Sequence, residues 1–400
     1  MSIATSLCRR RLGRLHDALA RHVTGGDMPG LVALVSRRGE THVEVIGRQS
    51  FETDAAMRRD TIFRIASMTK PITAVAALIM VEQCRLRLDD PVDDLLPELA
   101  DRRVLTSLEG AVEDTVPARR PISVRDLLTF TFGLGAVMVW PPRHPIQKAM
   151  ADAGLAPGPW QPELSADDFM RRLGSLPLIH HPGERWLYHT GSDVLGVLIA
   201  RASGQSLGDF LRDHLFEPLG MHDTGFHVPA DKLDRLASAY MMDPQKKELT
   251  FFDDARNSRW AKPPVFAAGG SGLVSTADDY LAFHRMLLNK GRHGTHWILS
   301  RPAVELMMSD QLTPEQRQGA ELFFGHGASW GMGGAVVTRR TDLCTTPGRY
   351  GWDGGYGTSG HVDPAEDMIG ILLTQRMMES PQPPRVFRDF WTSAYQSFDD

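Results

Sequence analysis

Cysteine is scarce in this chain: its 400 residues include 3 cysteines, and no two of them lie close together in the sequence. An odd number of widely separated cysteines gives neither a disulfide framework nor a C-x-x-C metal or redox site. The 15 histidines show no recurrent ligand spacing and no H-E-x-x-H motif. The sequence therefore disfavours a disulfide scaffold, a thiol-redox protein and a metalloenzyme.

Positive charge and long apolar runs are also lacking. The net charge is −5, no basic stripe indicates nucleic acid, and no run of about 18 apolar residues indicates a membrane span. Residues 9–11 are arginines that follow a short, partly apolar start, the reverse of the order in a signal peptide. We therefore expect a cytoplasmic protein with no nucleic-acid or membrane partner, and we leave its oligomeric state open.

Strand-like segments lie at both ends of the chain. Residues 31–47 predict a β-hairpin, because two apolar runs flank the turn sequence RRGE. Near the other end, residues 369–374 predict a buried strand and residues 385–396 a final helix. The middle of the chain favours helices that end at proline and glycine. This order indicates one sheet built from both termini.

The same pattern predicts a division into two domains. Residues 1–85 and 262–400 would form the sheet domain, and residues 86–261 would form a mainly helical domain inserted between them. Within the insertion, residues 138–162 contain 6 prolines and 2 tryptophans. A long loop of this composition favours a wall or lid of a pocket, and a surface loop packed by its own aromatic rings is an equal alternative.

Ser67 and Lys70 form the most informative motif. They stand three residues apart, so on a helix they share one face. Apolar residues before and after them predict that this helix enters the core. A buried lysine with a lowered pKa can take the proton of a serine hydroxyl and make it a nucleophile. The alternative is a helix cap beside a surface lysine.

A second serine motif is a decoy. Residues 204–208 read GQSLG and match the G-x-S-x-G elbow of α/β-hydrolases. That elbow needs a strand before it, whereas residues 192–202 favour a helix. Gly204 is then expected to end this helix, and Ser206 to cap the next one.

Tyr188 follows a Pro-Gly turn and a short aromatic run, just before a predicted helix. A phenol beside a lysine can pass a proton to a leaving group or help to activate the serine. Core packing is the alternative for such a tyrosine.

Residues 350–364 (YGWDGGYGTSGHVDP) are rich in glycine and small residues. Such a strand edge lets a backbone N–H approach a ligand closely and stabilise an oxyanion. The alternative is a glycine-rich hairpin without a ligand.

These segments, in this order, make the chain resemble the serine β-lactamase-like superfamily, and most of all the family VIII carboxylesterases, relatives of class C β-lactamases and DD-peptidases. The resemblance covers nearly the whole chain. It rests on residues 64–71 (RIASMTKP), 122–129 (ISVRDLLT), 182–188 (PGERWLY), 218–224 (PLGMHDT) and 270–279 (GSGLVSTADD). It implies an α/β (α+β) fold of the β-lactamase/transpeptidase type, with an antiparallel sheet flanked by the N- and C-terminal helices and an inserted helical domain.

The resemblance also implies roles for the site residues. Ser67 is the acylated nucleophile, Lys70 its proton acceptor, and Tyr188 assists and protonates the leaving group. Gly355 would supply an oxyanion N–H beside that of Ser67, with Gly354 a near-equal choice. No metal or organic cofactor is implied.

Departures from the lactamase motifs bear on the substrate. The amide-bearing Tyr-x-Asn and Ser-x-Asn motifs are absent, and Thr190 stands where class C enzymes have asparagine. Where lactamases carry Lys-Thr-Gly, this chain has Trp352, Asp353 and Gly354. An indole in place of an ammonium removes recognition of an anionic group and offers an apolar wall. Asp353, if it faced the site, would repel a carboxylate further.

We therefore expect a serine hydrolase that cleaves small neutral carboxylic esters through an acyl-enzyme on Ser67. The alternatives are an amidase, a peptidase, a weak β-lactamase or an acyltransferase with the same chemistry. A scaffold protein that has lost the chemistry is a further alternative.

Overall fold

The computed structural model describes residues 6–399. Its strands are β1 (Gly30–Arg37), β2 (Glu40–Gly47), β3 (Phe63–Arg64), β4 (Arg103–Leu105), β5 (Thr115–Pro117), β6 (Ala239–Met242), β7 (Leu249–Asp253), β8 (Val274–Ser275), β9 (Arg292–His293), β10 (His296–Trp297), β11 (Ala328–Trp330), β12 (Ala335–Val337), β13 (Tyr350–Gly354), β14 (Thr358–Asp363) and β15 (Met368–Thr374).

The helices are α1 (Arg9–Thr24), α2 (Thr69–Glu82), α3 (Val124–Leu128), α4 (Pro145–Asp152), α5 (Ala166–Ser175), α6 (Thr190–Ser203), α7 (Leu207–Leu211), α8 (Glu217–Leu219), α9 (Ala277–Leu288), α10 (Arg301–Met307), α11 (Pro314–Arg317), α12 (Glu321–Phe324) and α13 (Arg385–Gln396). A π-helical turn, Arg212–Phe216, joins α7 to α8. None of the helices in residues 6–399 is long and apolar enough to cross a membrane.

A seven-stranded antiparallel sheet forms the centre of the fold, in the order β11-β12-β13-β14-β15-β1-β2. The two ends of the chain meet where β1 pairs with β15, with Leu31 opposite Thr374 and Arg37 opposite Met368. The predicted sheet built from both termini is therefore confirmed.

The two faces of this sheet are covered by different helices. On one face, α1 and α13 bury Leu31, Ala33 and Val35 of β1. The alternate residues Val32 and Leu34 belong to the larger core on the other face, which includes most of α2. Successive side chains of a strand point to opposite faces, so one apolar strand serves both cores.

The strands of the central sheet lie outside the segment predicted to form the inserted domain. All seven strands of the sheet fall within residues 30–47 and 328–374, and α3 to α8 fall within residues 86–261. The middle segment also contains the small β4–β5 and β6–β7 sheets, which the sequence did not indicate. The division into two domains stays a prediction.

Two local expectations had different outcomes. Gly204 ends α6 in a left-handed conformation, and Ser206 accepts a hydrogen bond from the Asp209 N–H at the start of α7, so the decoy assignment is confirmed. The reading of residues 138–162 as one continuous loop is wrong, because α4 lies inside it. Pro145 starts that helix, where the missing N–H of proline costs no hydrogen bond.

Candidate active site

Ser67 and Lys70 lie at the buried entrance to α2. A single 3-10 turn, Ala66–Met68, precedes the helix, and α2 is buried from Thr69 to Met80. The serine is therefore held at the edge of the core, with the lysine one turn further in. Lys70 Nζ lies 3.0 Å from Ser67 Oγ.

The amino group of Lys70 is surrounded by neutral acceptors. Lys70 is fully buried, and its Nζ donates to the Gly270 carbonyl oxygen at 2.6 Å and lies 3.3 Å from His189 Nδ1. Burial lowers the pKa of Lys70 to about 7, although the charge of Asp193 acts in the opposite direction. Near neutral pH a large fraction of the amine is therefore unprotonated and able to accept a proton.

Tyr188 meets the other two predicted residues. Lys70 Nζ lies 4.7 Å from the centroid of the Tyr188 ring. Burial raises the pKa of the phenol well above its usual range, although hydrogen bonds with Ser67 and Trp352 act the other way. The phenol is therefore protonated at neutral pH and able to give a proton to a leaving group.

An aromatic cluster fixes the position of Tyr188. Its ring packs 4.8 Å from Phe323 and 5.7 Å from Trp186, measured between centroids, and Trp186 is itself buried. Trp352 Nε1 donates to the Tyr188 hydroxyl at 2.7 Å. Trp352 therefore does more than provide the apolar wall expected from the sequence, because it holds the reactive oxygen of the tyrosine in place.

The two predicted oxyanion glycines lie at the end of β13 in different surroundings. Gly354 has no room for a side chain, since a Cβ would collide with the Ile65 carbonyl oxygen. Gly355 lines the cavity that contains Ser67, and its carbonyl accepts from the Met378 N–H at 2.9 Å. The assignment of an oxyanion N–H to either glycine stays a prediction.

A cavity of about 280 Å³ opens over Ser67. Its lining combines the predicted polar residues with mainly apolar side chains, among them Ala136, Met138, Pro157, Pro159, Phe323 and Met378. Both ends of the proline-rich segment thus contribute to the wall. Trp140 does not, since it is 89% exposed.

A larger cavity of about 1030 Å³ lies elsewhere, between α6, α7 and residues 221–229. Its lining includes neither Ser67 nor Lys70 nor Tyr188. The candidate active site is therefore identified by its chemistry and not by its size.

Asp353 contacts polar groups on the α13 side of the sheet. Its Oδ1 accepts from Ser359 Oγ at 2.6 Å and lies 3.1 Å from His361 Nε2. Ser359 Oγ in turn accepts from Trp391 Nε1 of α13 at 3.0 Å. Asp353 is nevertheless among the residues that line the cavity over Ser67, so the expected repulsion of an anionic substrate stays a prediction.

Sequence reasoning missed His189 and Asp193. His189 lines the cavity, and its Nε2 lies 3.4 Å from Asp193 Oδ2. The available signal was the position of His189, directly after Tyr188 and one helical turn before an aspartate. Only the folded chain brings this pair to Lys70.

Comparison with known proteins gives the following matches. The family model described as beta-lactamase matches residues 15–388. An uncharacterised protein of Mycobacterium tuberculosis is 38% identical over 360 residues, which cover 88% of this chain and 86% of that protein. Esterase EstB of Burkholderia gladioli is 32% identical over 375 residues, 89% of this chain and 88% of the esterase.

Among solved structures, EstCE1, a hydrolase with promiscuous acyltransferase activity, superposes with a TM-score of 0.79 at 26% identity. The superposition covers 96% of this chain and 98% of that chain. The likeness thus extends over the sheet and the helical segment together.

Proposed function

The chain belongs to the beta-lactamase family, and from that premise we propose that it is a carboxylesterase that cleaves small neutral esters through an acyl-enzyme on Ser67. The family match confirms the resemblance and the fold expected from the motifs. Its relatives support the broader class of serine hydrolase. The observation that carries the proposal is the 3.0 Å contact between Lys70 Nζ and Ser67 Oγ at a buried site.

The proposed reaction has two steps. The neutral Lys70 amine takes the hydroxyl proton of Ser67, and Oγ bonds to the ester carbonyl carbon. The charge on the carbonyl oxygen is stabilised by backbone N–H groups, for which we propose Ser67 and Gly355. The carbon–oxygen bond then breaks as Tyr188 gives its proton to the leaving alkoxide, and Lys70 returns a proton to Tyr188. Water next attacks the acyl-enzyme and releases the acid.

The preference for neutral esters rests on the walls of the cavity. Trp352 stands where the lactamase relatives place a lysine, and apolar side chains dominate the rest of the lining. An anionic substrate would find no cationic partner among these residues, whereas a short acyl or alcohol group would be desolvated favourably. The similarity to EstB, an esterase, supports the same choice, and we place the chain functionally with the family VIII carboxylesterases.

The test is hydrolysis of p-nitrophenyl acetate and butyrate by wild type, Ser67→Ala and Ser206→Ala. We expect Ser67→Ala to lose turnover while it keeps its thermal unfolding midpoint. Ser206→Ala is the matched control, because Ser206 caps α7; it should keep its activity and lose about 1 kcal/mol of stability. Unchanged turnover by Ser67→Ala would refute the proposal.

Two alternative functions would use the same residues. An acyltransferase would transfer the acyl group to an alcohol or amine in place of water, and a lactam-cleaving enzyme would break an amide bond in place of an ester bond. The acyltransferase activity named for EstCE1 favours the first of these alternatives. A small alcohol added to the assay separates them, since an acyltransferase would form the new ester faster than the free acid. Hydrolysis of a chromogenic cephalosporin tests for lactam cleavage. A higher kcat/KM for the lactam than for the ester would favour a β-lactamase over a carboxylesterase. A fluorophosphonate that failed to label the protein would instead favour a scaffold.

The cellular location stays a prediction of the sequence. We propose that the partner is a small neutral ester in the cytoplasm, and fractionation of the producing cells would test the location.

A further inference from the structure

In the described part of the chain, the Lys70 amine has three hydrogen-bond neighbours, and they differ in whether they can donate or accept a proton. Ser67 Oγ lies at 3.0 Å, the Gly270 carbonyl oxygen at 2.6 Å and His189 Nδ1 at 3.3 Å from Nζ. A carbonyl oxygen can only accept a hydrogen bond, whereas a hydroxyl can donate or accept. The direction of the lysine lone pair therefore depends on the state of His189.

The surroundings of His189 select one tautomer. Its Nε2 faces the Asp193 carboxylate at 3.4 Å, and its Nδ1 faces the Lys70 amine. In the tautomer with its proton on Nε2, His189 donates towards the Asp193 carboxylate. In the other tautomer, the Nδ1 proton would face the N–H groups of Lys70, and the unprotonated Nε2 would face the carboxylate, so that two acceptors would lie against each other. Burial and the charge of Lys70 lower the pKa of His189, which keeps the ring neutral. Nδ1 is then an acceptor.

With that tautomer of His189, the direction of the Lys70 lone pair is fixed. A neutral amine has two N–H donors and one lone pair. The two donors are taken by the Gly270 carbonyl and by His189 Nδ1, which can only accept. The lone pair is left facing the Ser67 hydroxyl, the orientation that proton abstraction requires.

The Asp193 carboxylate contacts both residues that accept from Lys70, Gly270 and His189. Its Oδ1 accepts from the Gly270 N–H at 2.8 Å, while its Oδ2 faces His189. We infer that His189, held by Asp193, is a positioning residue that directs the lone pair of Lys70 at Ser67. This inference rests on the proposed function and adds a residue to its machinery.

The backbone at His189 supports a functional role. It has φ 85° and ψ −69°, and the Thr190 N–H donates to the Tyr188 carbonyl at 3.3 Å. This is a γ-turn of the rare, strained kind. Strained residues of this sort cluster at functional sites, and here the turn directs the ring at Lys70.

The test compares His189→Leu with His189→Asn. Leucine removes the acceptor and keeps an apolar side chain that excludes water. Asparagine restores an oxygen near the place of Nδ1 and tolerates a positive φ. For each variant, kcat, KM and the pH profile of kcat/KM are measured with p-nitrophenyl butyrate, together with the rate at which a fluorophosphonate labels Ser67. Thermal unfolding shows that each variant is folded.

We expect His189→Leu to lose roughly 10- to 100-fold in kcat and in labelling rate, with KM nearly unchanged, because the base is misdirected. The groups that face Lys70 are Tyr188 and His189, with Asp193 behind the histidine. Since the lysine ammonium loses an acceptor, the acidic limb of the pH profile should move about half a pH unit lower. His189→Asn should recover most of the rate and the position of the limb.

Equal losses in the two variants, or a His189→Leu enzyme within twofold of wild type, would overturn the inference. The labelling rate separates this result from failure of the proposed function. A wild-type protein that labels at Ser67 but hydrolyses no ester would refute the proposed substrate and still report on His189.

Discussion

Arg64 and Lys70 are two buried cationic residues on either side of Ser67, and they are held in different ways. Arg64 contacts a carboxylate directly, since its Nη2 donates to Asp253 and also to Ser258 Oγ at 3.0 Å. Within residues 6–399, the hydrogen-bond contacts of Lys70 are to uncharged groups, and the Asp193 carboxylate lies behind His189 and Gly270. Arg64, which forms an ion pair, and Lys70, which can act as a base, are thus only six positions apart in the sequence.

The difference in their partners gives the two residues different roles: Arg64 stabilises the fold, and Lys70 can take part in the reaction. Burial disfavours the charged form of both residues, but Asp253 opposes this directly at Arg64. Burial still lowers the pKa of Arg64 on balance, but a guanidinium starts from so high a pKa that Arg64 stays a cation, and it links β3 to β7. At Lys70, which has no direct counterion, burial lowers the pKa from the usual 10.5 to about 7 and so leaves a lone pair available at neutral pH. Withholding a direct counterion makes a lysine into a base.

Of the changes at these two buried residues, replacing Lys70 by arginine should have the larger effect on activity. The introduced guanidinium would keep the positive charge but could not accept a proton. We expect Lys70→Arg to lose about 10²- to 10⁴-fold in kcat/KM for p-nitrophenyl butyrate, the range for loss of a general base. Activity within tenfold of wild type would mean that another group takes the proton of Ser67.

Breaking the ion pair should instead affect stability. Arg64→Met leaves the buried Asp253 carboxylate without its partner, which costs about 3–5 kcal/mol. Urea unfolding measures this loss. The double variant Arg64→Met/Asp253→Leu is the control, because it removes both charges and should recover part of the stability. A double variant no more stable than the single one would show that packing matters more than charge here.

The pH dependence should distinguish the two sites further. Because the base form of Lys70 is neutral, kcat/KM should rise about tenfold per pH unit below pH 7 and level off above it. Between about 7 and the usual lysine pKa of 10.5, the unfolded chain binds a proton that the folded chain does not, so stability should rise with pH. Lys70→Met should abolish this rise, and Arg64→Met should retain it.

The smallest effect should come from Trp352→Phe. This change keeps an aromatic wall and removes the N–H that donates to the Tyr188 hydroxyl at 2.7 Å. Loss of one hydrogen bond of about 1 kcal/mol corresponds to roughly a fivefold fall in kcat. KM for a small ester should change little. A large rise in KM would indicate that the indole binds substrate and does not position Tyr188.

Sequence reasoning located the elements whose cause is local. Gly204 and Ser206 were predicted because helix ends depend on residues within a few positions of one another. The strand predicted at residues 369–374 is observed as Met368–Thr374, because its largely apolar run is itself the signal for a buried strand. In contrast, α4 was missed, since prolines suggested an irregular loop and only one of them begins the helix.

The chain's own sequence determined the chemistry available: a hydroxyl and an amine one turn apart, a phenol after a turn, and an indole in place of the lysine of the lactamase motif. The tertiary structure alone decided how that chemistry is tuned. Three features tune the Lys70 amine: its burial, the ring of His189 beside it and the Asp193 carboxylate behind that ring. All three depend on contacts between residues more than a hundred positions apart. Solvent exclusion and hydrogen-bond direction arise only when distant segments pack, so no local pattern could have specified them.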